Sequence, residues 1–332
     1  MSIQVAGGFG GSGGESFGLD ISVVSQLPGA VQEGAVVLIS SSYTAVYVDT
    51  DTPASPAAGD IWVQVGPSAH ATEPAENTRL GLVSARQYSA EGEWSMIAGY
   101  VGADGEWSQF SALLPPTGQP LESYTWAQIN EISSYGMADT YWDVGDTKTI
   151  LIGGSQYALQ IAGFNHDDLA SSEGKAGITF TLLTCLSTQY SMNASGTNTG
   201  GWNACALRTT LQSDIYNQIE DDLRNIIKPV MKKRGIGGKQ TTLAESQDTL
   251  FLFSENEIFG LNTYSAPGEG TQYELFTTAA NRIKTVLGSA AGWWTGSAFI
   301  LDSQAFCFVN NTGGQDATGA IGKYGIAFGC CV

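Results

Sequence analysis

Trp293-Trp294-Thr295-Gly296-Ser297 opens the last forty residues of the chain, and Gly325-Ile326-Ala327-Phe328-Gly329-Cys330-Cys331-Val332 closes them. Between these lie short apolar runs at 305–309 and 324–328 and a polar, nearly uncharged tract, Asn310-Asn311-Thr312-Gly313-Gly314-Gln315-Asp316. Apolar framework residues bracketing a loop of small hydrogen-bonding groups is how a paratope is built. The segment therefore points to recognition rather than catalysis. Successive strand residues face opposite sides, so of Trp293 and Trp294 one is expected in the core and the other on the surface.

A chain of 332 residues has room for about two domains. Its 42 glycines are roughly twice the usual share of about 7%, and its 14% charged residues fall well below the usual quarter. Polarity must come from Ser, Thr, Asn, Gln and bare backbone, which suits a β- and loop-rich protein. The net charge of −18 is uneven: residues 1–137 carry only Arg79 and Arg86 against fourteen acids, residues 138–332 twelve cations against eighteen. Binding phosphate needs clusters of Lys and Arg, so nucleic acid is not an expected partner. The one basic run, Lys232-Lys233-Arg234, is expected to offset the dipole at the end of a helix. Cys185, Cys205, Cys307, Cys330 and Cys331 form no Cys-x-x-Cys and have no His at zinc spacing. They read as buried thiols, with one of Cys330 and Cys331 facing the core. No secretory leader and no apolar run of about 20 residues is seen, so the expectation is a soluble protein made in a cytoplasm, without membrane insertion.

Four segments are expected: 1–27, a Gly-rich attachment segment; 28–114, a β-rich module; 115–137, a Pro-rich linker with a short helix; and 138–332, an α+β domain with one long helix, a second helix and short antiparallel strands. In the second, 35–40 and 44–49 read as strands joined by Ser41-Ser42-Tyr43, and 61–65 as a strand after Gly59-Asp60. Glu91-Gly92-Glu93-Trp94-Ser95 returns as Asp104-Gly105-Glu106-Trp107-Ser108, an acid-Gly turn before a strand with a half-buried Trp, as in a β-meander. The linker helix spans 125–132, with Thr125 as N-cap. Strands follow at 147–152, 156–161 and 177–183. The long helix is expected over 204–234, where Leu207, Leu211, Ile215, Ile219, Leu223, Ile226, Ile227 and Val230 recur every three or four residues, with Pro229 kinking or ending it. A strand at 249–253, a cap at Ser254-Glu255-Asn256-Glu257 and a looser helix at 274–287 complete the reading.

Asn165-His166-Asp167-Asp168 could supply cation ligands or an acid/base pair, but reads better as a turn satisfying its own backbone. No nucleophile elbow, phosphate loop or His-Glu-x-x-His helix occurs. Carboxylates are abundant, yet nothing singles out a glycosidase pair. The polar loop 193–203 is either a connector or the flank of a binding face, and sequence does not separate the two.

Residues 139–332 resemble a C-type-lectin-like domain family of gut bacteria and their phages. The matching pieces are Trp142-Asp143-Val144-Gly145-Asp146, Gly163-Phe164-Asn165-His166-Asp167, Gly201-Trp202-Asn203 before Leu207-Arg208, Leu252-Phe253-Ser254-Glu255-Asn256-Glu257, Trp293-Trp294 and the 325–332 ending. Where many members have Arg-Ser after the tryptophans this chain has Thr295-Gly296-Ser297, and Phe328 replaces the usual Pro. Residues 28–112 are similar to modules of phage tail proteins, through Gly59-Asp60-Ile61-Trp62-Val63 and the paired Gly-Glu-Trp-Ser units. The resemblance implies a virion protein, made in the host cytoplasm: a receptor-binding, tail-fibre adhesin, held to other virion proteins by its N-terminal segment and homo-oligomeric, with a trimer favoured. It implies a C-terminal face of the kind that diversity-generating retroelements rewrite, binding a host-surface glycan or protein without catalysis, cofactor or metal. By position its residues are Trp294, Thr295, Ser297, Phe299, Leu301, Asn310, Asn311, Gln315, Asp316 and Tyr324. One alternative is a capsid-decorating head fibre with the same adhesive domain. Another is a glycan-active enzyme or a relative of the formylglycine-generating branch of the fold, for which only Cys307, Cys330 and Cys331 are C-terminal candidates.

Overall fold

The computed structural model describes residues 118–134, 136–171 and 174–332 continuously, and before them nine strands together with Ala57 and Ala58. Two compact units result, Met1–Thr117 with Ser134–Met137, and Gly118–Ser133 with Ala138–Val332. Most of the expected 1–27 segment, the Ser41–Tyr43 connection, the two acid-Gly turns and the Pro115-Pro116 break lie outside the described residues.

In the first unit the strands are β1 (Ile3–Gln4), β2 (Asp20–Val24), β3 (Val36–Ile39), β4 (Val46–Asp49), β5 (Ile61–Val65), β6 (Leu82–Tyr88), β7 (Trp94–Met96), β8 (Gly99–Ala103) and β9 (Glu106–Gln109). They form two sheets, ordered β1-β2-β3-β8-β9 and β4-β5-β6-β7. The strands expected at 35–40 and 44–49 exist but belong to different sheets. The two Glu-Trp-Ser strands likewise close different sheets: β5, β6 and β7 form an antiparallel meander that ends on the first, while the second pairs with β8. The sheets share a design: β2 runs parallel to β3 with Ile21 opposite Val36, and β4 parallel to β5 with Val46 opposite Ile61. Both offsets are fifteen residues, and the second pair repeats the first twenty-five residues on. Val36, Val37, Leu38, Ile61, Trp62, Val63 and Ala85 are buried.

The second unit is α+β. Its first helix, α1 (Trp126–Ser134), starts as expected: Gln128 N donates to Thr125 Oγ1 (3.2 Å) while Thr125 N donates to Gln128 Oε1 (2.9 Å), the reciprocal capping pattern. The helix packs within this unit, Trp126 standing edge-on to Phe180 with ring centroids 5.7 Å apart. The folded unit thus reaches further towards the N-terminus than the expected start at 138. After α2 (Ala138–Tyr141) come β10 (Thr147–Ile152), β11 (Ser155–Phe164) and β12 (Ile178–Leu182). They form an antiparallel sheet closed by β20 (Gly329–Cys331), with Phe180 opposite Cys330. The end of the chain is thereby built into the core. Both Cys330 and Cys331 are buried, as are all five free thiols, which corrects the expectation that only one of the pair faces inward.

The long helix is not formed. A 3-10 turn at Trp202–Ala204 leads to α3 (Ala206–Thr210), a π turn at Leu211–Ile215 and a 3-10 turn at Tyr216–Gln218. Ile219 then turns extended to bridge Ile152, and only α4 (Asp221–Arg224) follows. Beyond Pro229 the chain is strand β13 (Val230–Gly235), paired with β14 (Leu243–Asp248). The basic run therefore alternates: Lys232 and Arg234 point inward and Lys233 outward, as strand geometry requires. It caps no helix. The strand expected at 249–253 is displaced into β14, leaving Phe251 as an isolated bridge to Gly329. Helix α5 (Glu255–Phe259) carries the expected cap, a full capping box between Ser254 and Glu257.

The second helix is also absent. Residues 274–282 make two 3-10 turns, and β15 (Lys284–Val286) turns through Leu287-Gly288 into β16 (Ser289–Ala291). Leu287 and Gly288 both have positive φ (49° and 82°), the geometry a two-residue hairpin turn imposes. Last come β17 (Trp293–Ala298), β18 (Ala305–Val309) and β19 (Gln315–Gly319), an antiparallel sheet in that order.

Candidate recognition surface

Strand β17 is buried along its whole length, and this decides the fate of several candidates. Trp293 packs towards Phe276 and donates Nε1–H to Arg282 O (2.9 Å). Trp294 faces Phe306, Phe308 and Tyr324 and donates to Tyr190 O (2.7 Å). Both rings are fully enclosed because the strand has a packed layer on each side, so the expectation of one surface tryptophan is corrected. Across from β18 the register jumps: Trp294 lies opposite Phe308 but Ala298 opposite Phe306. Two extra residues make Thr295-Gly296-Ser297 a bulge, the device that re-aims a strand. Thr295 Oγ1 donates to Cys307 O (2.9 Å), Gly296 N donates to Phe253 O (2.8 Å), and Ser297 Oγ accepts from Glu255 N (2.8 Å) while donating to Glu269. A side chain at 296 would meet Leu252 O at 2.8 Å and Arg234 Nε at 2.9 Å, so glycine is required. Trp294, Thr295 and Ser297 thus hold the surface from beneath and offer none of their own.

Beneath the bulge lies a buried ionic cluster. Lys232 Nζ pairs with Asp167 Oδ1, reaches Glu257 Oε1 (3.1 Å) and Tyr273 OH (2.9 Å), and sits 3.7 Å from the Phe251 ring centroid. Arg234 Nη2 donates to Glu257 Oε2 (2.7 Å) and Leu252 O (2.9 Å). Tyr273 OH and Thr179 Oγ1 each donate to Asp167 Oδ2 (2.6 Å). Burial would raise the Asp167 carboxyl, but Lys232 and these donors hold it well below the usual range. Burial would likewise lower Lys232, yet Asp167 and Glu257 keep it raised. Charges that are desolvated together need such complete pairing. The 165–168 segment is not the expected turn: it continues antiparallel beside 174–177, with Asn165 N donating to Gly177 O (3.1 Å) and Ala176 N to Asp167 O (2.9 Å), and the Asp167 side chain satisfies a distant lysine rather than its own backbone.

Above the cluster the sheet has two ends. At one, the hairpin turn 310–314 is closed by Asn310, whose Oδ1 accepts from Thr312 N (3.0 Å), Thr312 Oγ1 (2.7 Å) and Gly314 N (2.9 Å). Gln315 donates to Thr263 Oγ1 (2.7 Å). Asn311 and Asp316 are exposed, and Asp316 Oδ1 covers the edge amide of Ala317 (2.8 Å). That bond blunts an open strand edge against pairing. At the other end, Phe299 stands edge-on to Tyr264 (5.7 Å), and Leu301 is 68% exposed. Ile321, in the loop after β19, is 65% exposed. Val309 opposite Gln315 and Ala305 opposite Gly319 separate the two ends by four residue steps, roughly 14 Å. The candidates therefore fall into two groups and do not converge on one small pocket. Tyr324 lies on one face of the sheet, tilted on Phe308 (4.8 Å) with its OH 3.3 Å from Thr318 Oγ1.

Two residues that composition could not reveal build the Leu301 end. Asn198 is fully buried, and its Nδ2 serves Phe299 O (3.0 Å), Asp302 O (2.8 Å) and Ala305 O (2.6 Å) while its Oδ1 accepts from Gly238 N (2.8 Å). Asn193 donates to Thr197 O (2.7 Å) and accepts from Ala206 N (2.8 Å). The 193–203 loop is accordingly a clamp: Asn198 N reaches Ser303 O (2.7 Å) and Asn193 N reaches Ala320 O (3.2 Å), fastening both exposed loops. Its dense Asn, Thr and Gly content was the only signal in sequence.

Residues 176–332 match the family model described as a domain of unknown function, DUF6273. No curated protein and no solved structure matches the chain. The matched stretch begins just before β12, whereas the sheet it belongs to also needs β10 and β11, so the folded unit is larger than the matched segment.

Proposed function

We propose that this chain is a phage virion protein, a receptor-binding or tail-fibre adhesin whose C-terminal unit is a C-type-lectin-like domain. In this reading the unit binds a host-surface glycan or protein non-covalently, the N-terminal unit joins other virion proteins, and copies assemble as a trimer, so that weak single sites gain avidity. The observation that carries it is the Leu301 end of the β17–β19 sheet. Two exposed aliphatic side chains stand there, Leu301 on a loop fixed from below by the buried Asn198 and Ile321 beside Ala320, whose carbonyl accepts from Asn193 N. Apolar side chains exposed together favour an interaction site where they form one patch, and a loop ordered beforehand loses less entropy on binding.

Chemistry through the cysteines is disfavoured by their surroundings. Burial pushes the Cys330 thiol up to about 12 and raises Cys307 and Cys331 well above the ordinary value. A nucleophilic or metal-binding cysteine needs the thiolate.

The test is binding of the labelled full chain to host cells, for wild type, Leu301→Glu with Ile321→Glu, and Asn311→Ala with Asp316→Ala. Loss in the first variant alone, with an unchanged melting temperature, supports recognition at the Leu301 end. Loss in the second alone moves the site to the hairpin turn. Binding by all three at wild-type strength refutes recognition through this sheet.

A further inference from the structure

Glu269 sits at a crossing that the recognition reading leaves unused. It is fully buried on a loop between Gly268 and Gly270, both at positive φ (92° and 99°). Oε1 accepts from Gly235 N (2.6 Å) at the end of β13, and Oε2 accepts from Ser297 Oγ in the bulge of β17. Its own carbonyl accepts from Ser254 Oγ (2.6 Å), the N-cap of α5. One residue thus joins three elements, two through its carboxylate and the third through its backbone carbonyl. The facing charged and titratable groups are Arg234 on β13, Glu257 and Glu255 on α5, and Cys307 on β18. Arg234 is already committed to Glu257 at 2.7 Å, which leaves Glu269 with neutral donors only.

We infer that the Thr295–Ser297 bulge is a pH-responsive joint set by the Glu269 carboxyl, and that it regulates how firmly the 299–304 loop is held. This rests on the recognition reading only for its purpose; the joint itself is a property of the free protein.

The hydrogen-bond inventory supplies the mechanism. With Glu269 ionised, Ser297 donates to it and accepts from Glu255 N. A protonated Glu269 has a hydrogen of its own to place, and Ser297 Oγ is the nearest acceptor. The bond reverses, and the serine hydrogen must turn elsewhere within the bulge. Burial raises the Glu269 carboxyl from 4.5 to about 7, against the opposing pull of Arg234, Ser297 and Gly235. The change therefore falls near neutral pH. Local opening, in which the carboxylate reaches water, therefore grows easier as pH rises from about 4.5 and levels off above about 7, and the flanking glycines give the loop a hinge. The Cys307 thiol, kept protonated by burial, does not titrate in the same range.

Hydrogen exchange of the unliganded full chain at pH 6, 7 and 8, read by mass spectrometry on peptides covering 295–304, tests the joint without any ligand. With intrinsic rates divided out, opening in wild type should rise about tenfold from pH 6 to pH 8, the factor that proton linkage between carboxyl values of 4.5 and about 7 gives. Glu269→Gln should be flat. Ser297→Ala, which removes one donor to the ionised form, should move the midpoint upward. The same slope in Glu269→Gln as in wild type, or a midpoint unmoved in Ser297→Ala, overturns the inference. Host-cell binding at pH 6 and pH 8 is a separate arm: pH-dependent exchange without any binding keeps the joint and removes the adhesin reading.

Discussion

Replacing Lys284 by methionine should stabilise this protein at neutral pH. Lys284 lies on β15 and is buried; its ammonium donates to Leu182 O and lies 5.6 Å from the Trp293 ring and 6.0 Å from that of Phe276. Burial lowers it from 10.5 to about 8, with Cys185 opposing. A shift of that size corresponds to about 3 kcal/mol favouring the neutral form in the folded state. The sign follows from linkage: the folded lysine loses its proton near pH 8 and the unfolded one near 10.5, so the penalty is complete below pH 8 and fades as pH rises towards 10.5. Methionine has similar volume and no charge, but it leaves Leu182 O with only the long bond from Thr181 Oγ1 (3.5 Å), which costs about 1 kcal/mol. The expected gain is thus about 2 kcal/mol at pH 7. It should vanish by about pH 10, where the native lysine is itself neutral.

The assay is urea unfolding of the full chain, wild type and Lys284→Met, at pH 7.0 and at pH 9.5, followed by near-ultraviolet circular dichroism. Burial raises Cys185 and Cys330 to about 12 and Cys205 to about 11, so both proteins lose stability at the higher pH as the unfolded thiols ionise. Only the difference between them reports Lys284. A variant less stable than wild type at pH 7, or a difference that does not change with pH, would refute the reasoning.

Asp167→Asn should cost about 3 kcal/mol or more, since one charge of a buried pair is left behind; a loss under 1 kcal/mol in urea titration would contradict it. The same variant should lack the part of acid unfolding that Asp167 supplies, because a depressed carboxyl stabilises above pH 4 and loses that contribution as pH falls through its folded value. Asn198→Ala removes the buried amide shared by the Phe299, Asp302 and Ala305 carbonyls and should lower stability by about 2 kcal/mol; limited proteolysis should then cut within 299–305, and an uncut loop would show that the clamp is not needed. Randomising Leu301, Asn311, Asp316 and Ile321 together should leave the melting temperature within a few degrees, whereas randomising Thr295 and Ser297 should yield mostly unfolded protein by circular dichroism.

Short-range chemistry was readable along the chain, and long-range pairing was not. The strand at 147–152 and the caps at Thr125 and Ser254 follow from residues within four positions of one another, and each occurs where expected. The apolar spacing from Leu207 to Val230 suits a helix equally well, but Ile219 is held extended by Ile152, sixty-seven residues earlier. Lys232 and Arg234 resemble a helix-end cation run until Asp167 and Glu257 are seen to wait for them inside. The twenty-five-residue repeat was within reach: Pro28 and Gly34 recur as Pro53 and Gly59, but with so few shared residues the common register of the strand pairs was needed to expose it. In the candidate surface, alternation predicted one outward tryptophan, and it failed because β17 is packed on both faces. Ile321, a lone apolar residue in a polar loop, carried no pattern at all.

Polarity near an exposed loop is thus a poor guide to what touches a partner. Thr295, Ser297 and Asn310 are hydrogen-bonding residues that a paratope analogy would choose first, yet Thr295 and Ser297 spend their hydroxyls inside the protein and Asn310 turns its Oδ1 onto its own hairpin turn. A small polar residue fills two needs in a glycine-rich chain with few charges: it can dissolve a surface, or it can satisfy backbone that no ladder reaches. Here the bulge and the tight loops around Leu301 leave many carbonyls and amides unpaired by strands, so the second need takes the side chains nearest the display end. What remains free for a partner is what has no such bond to make. That set includes the aliphatic Leu301 and Ile321 and the amide of Asn311. The division also explains how such a surface could change residue by residue without loss of fold: the positions that hold it lie one layer below the positions that would do the binding.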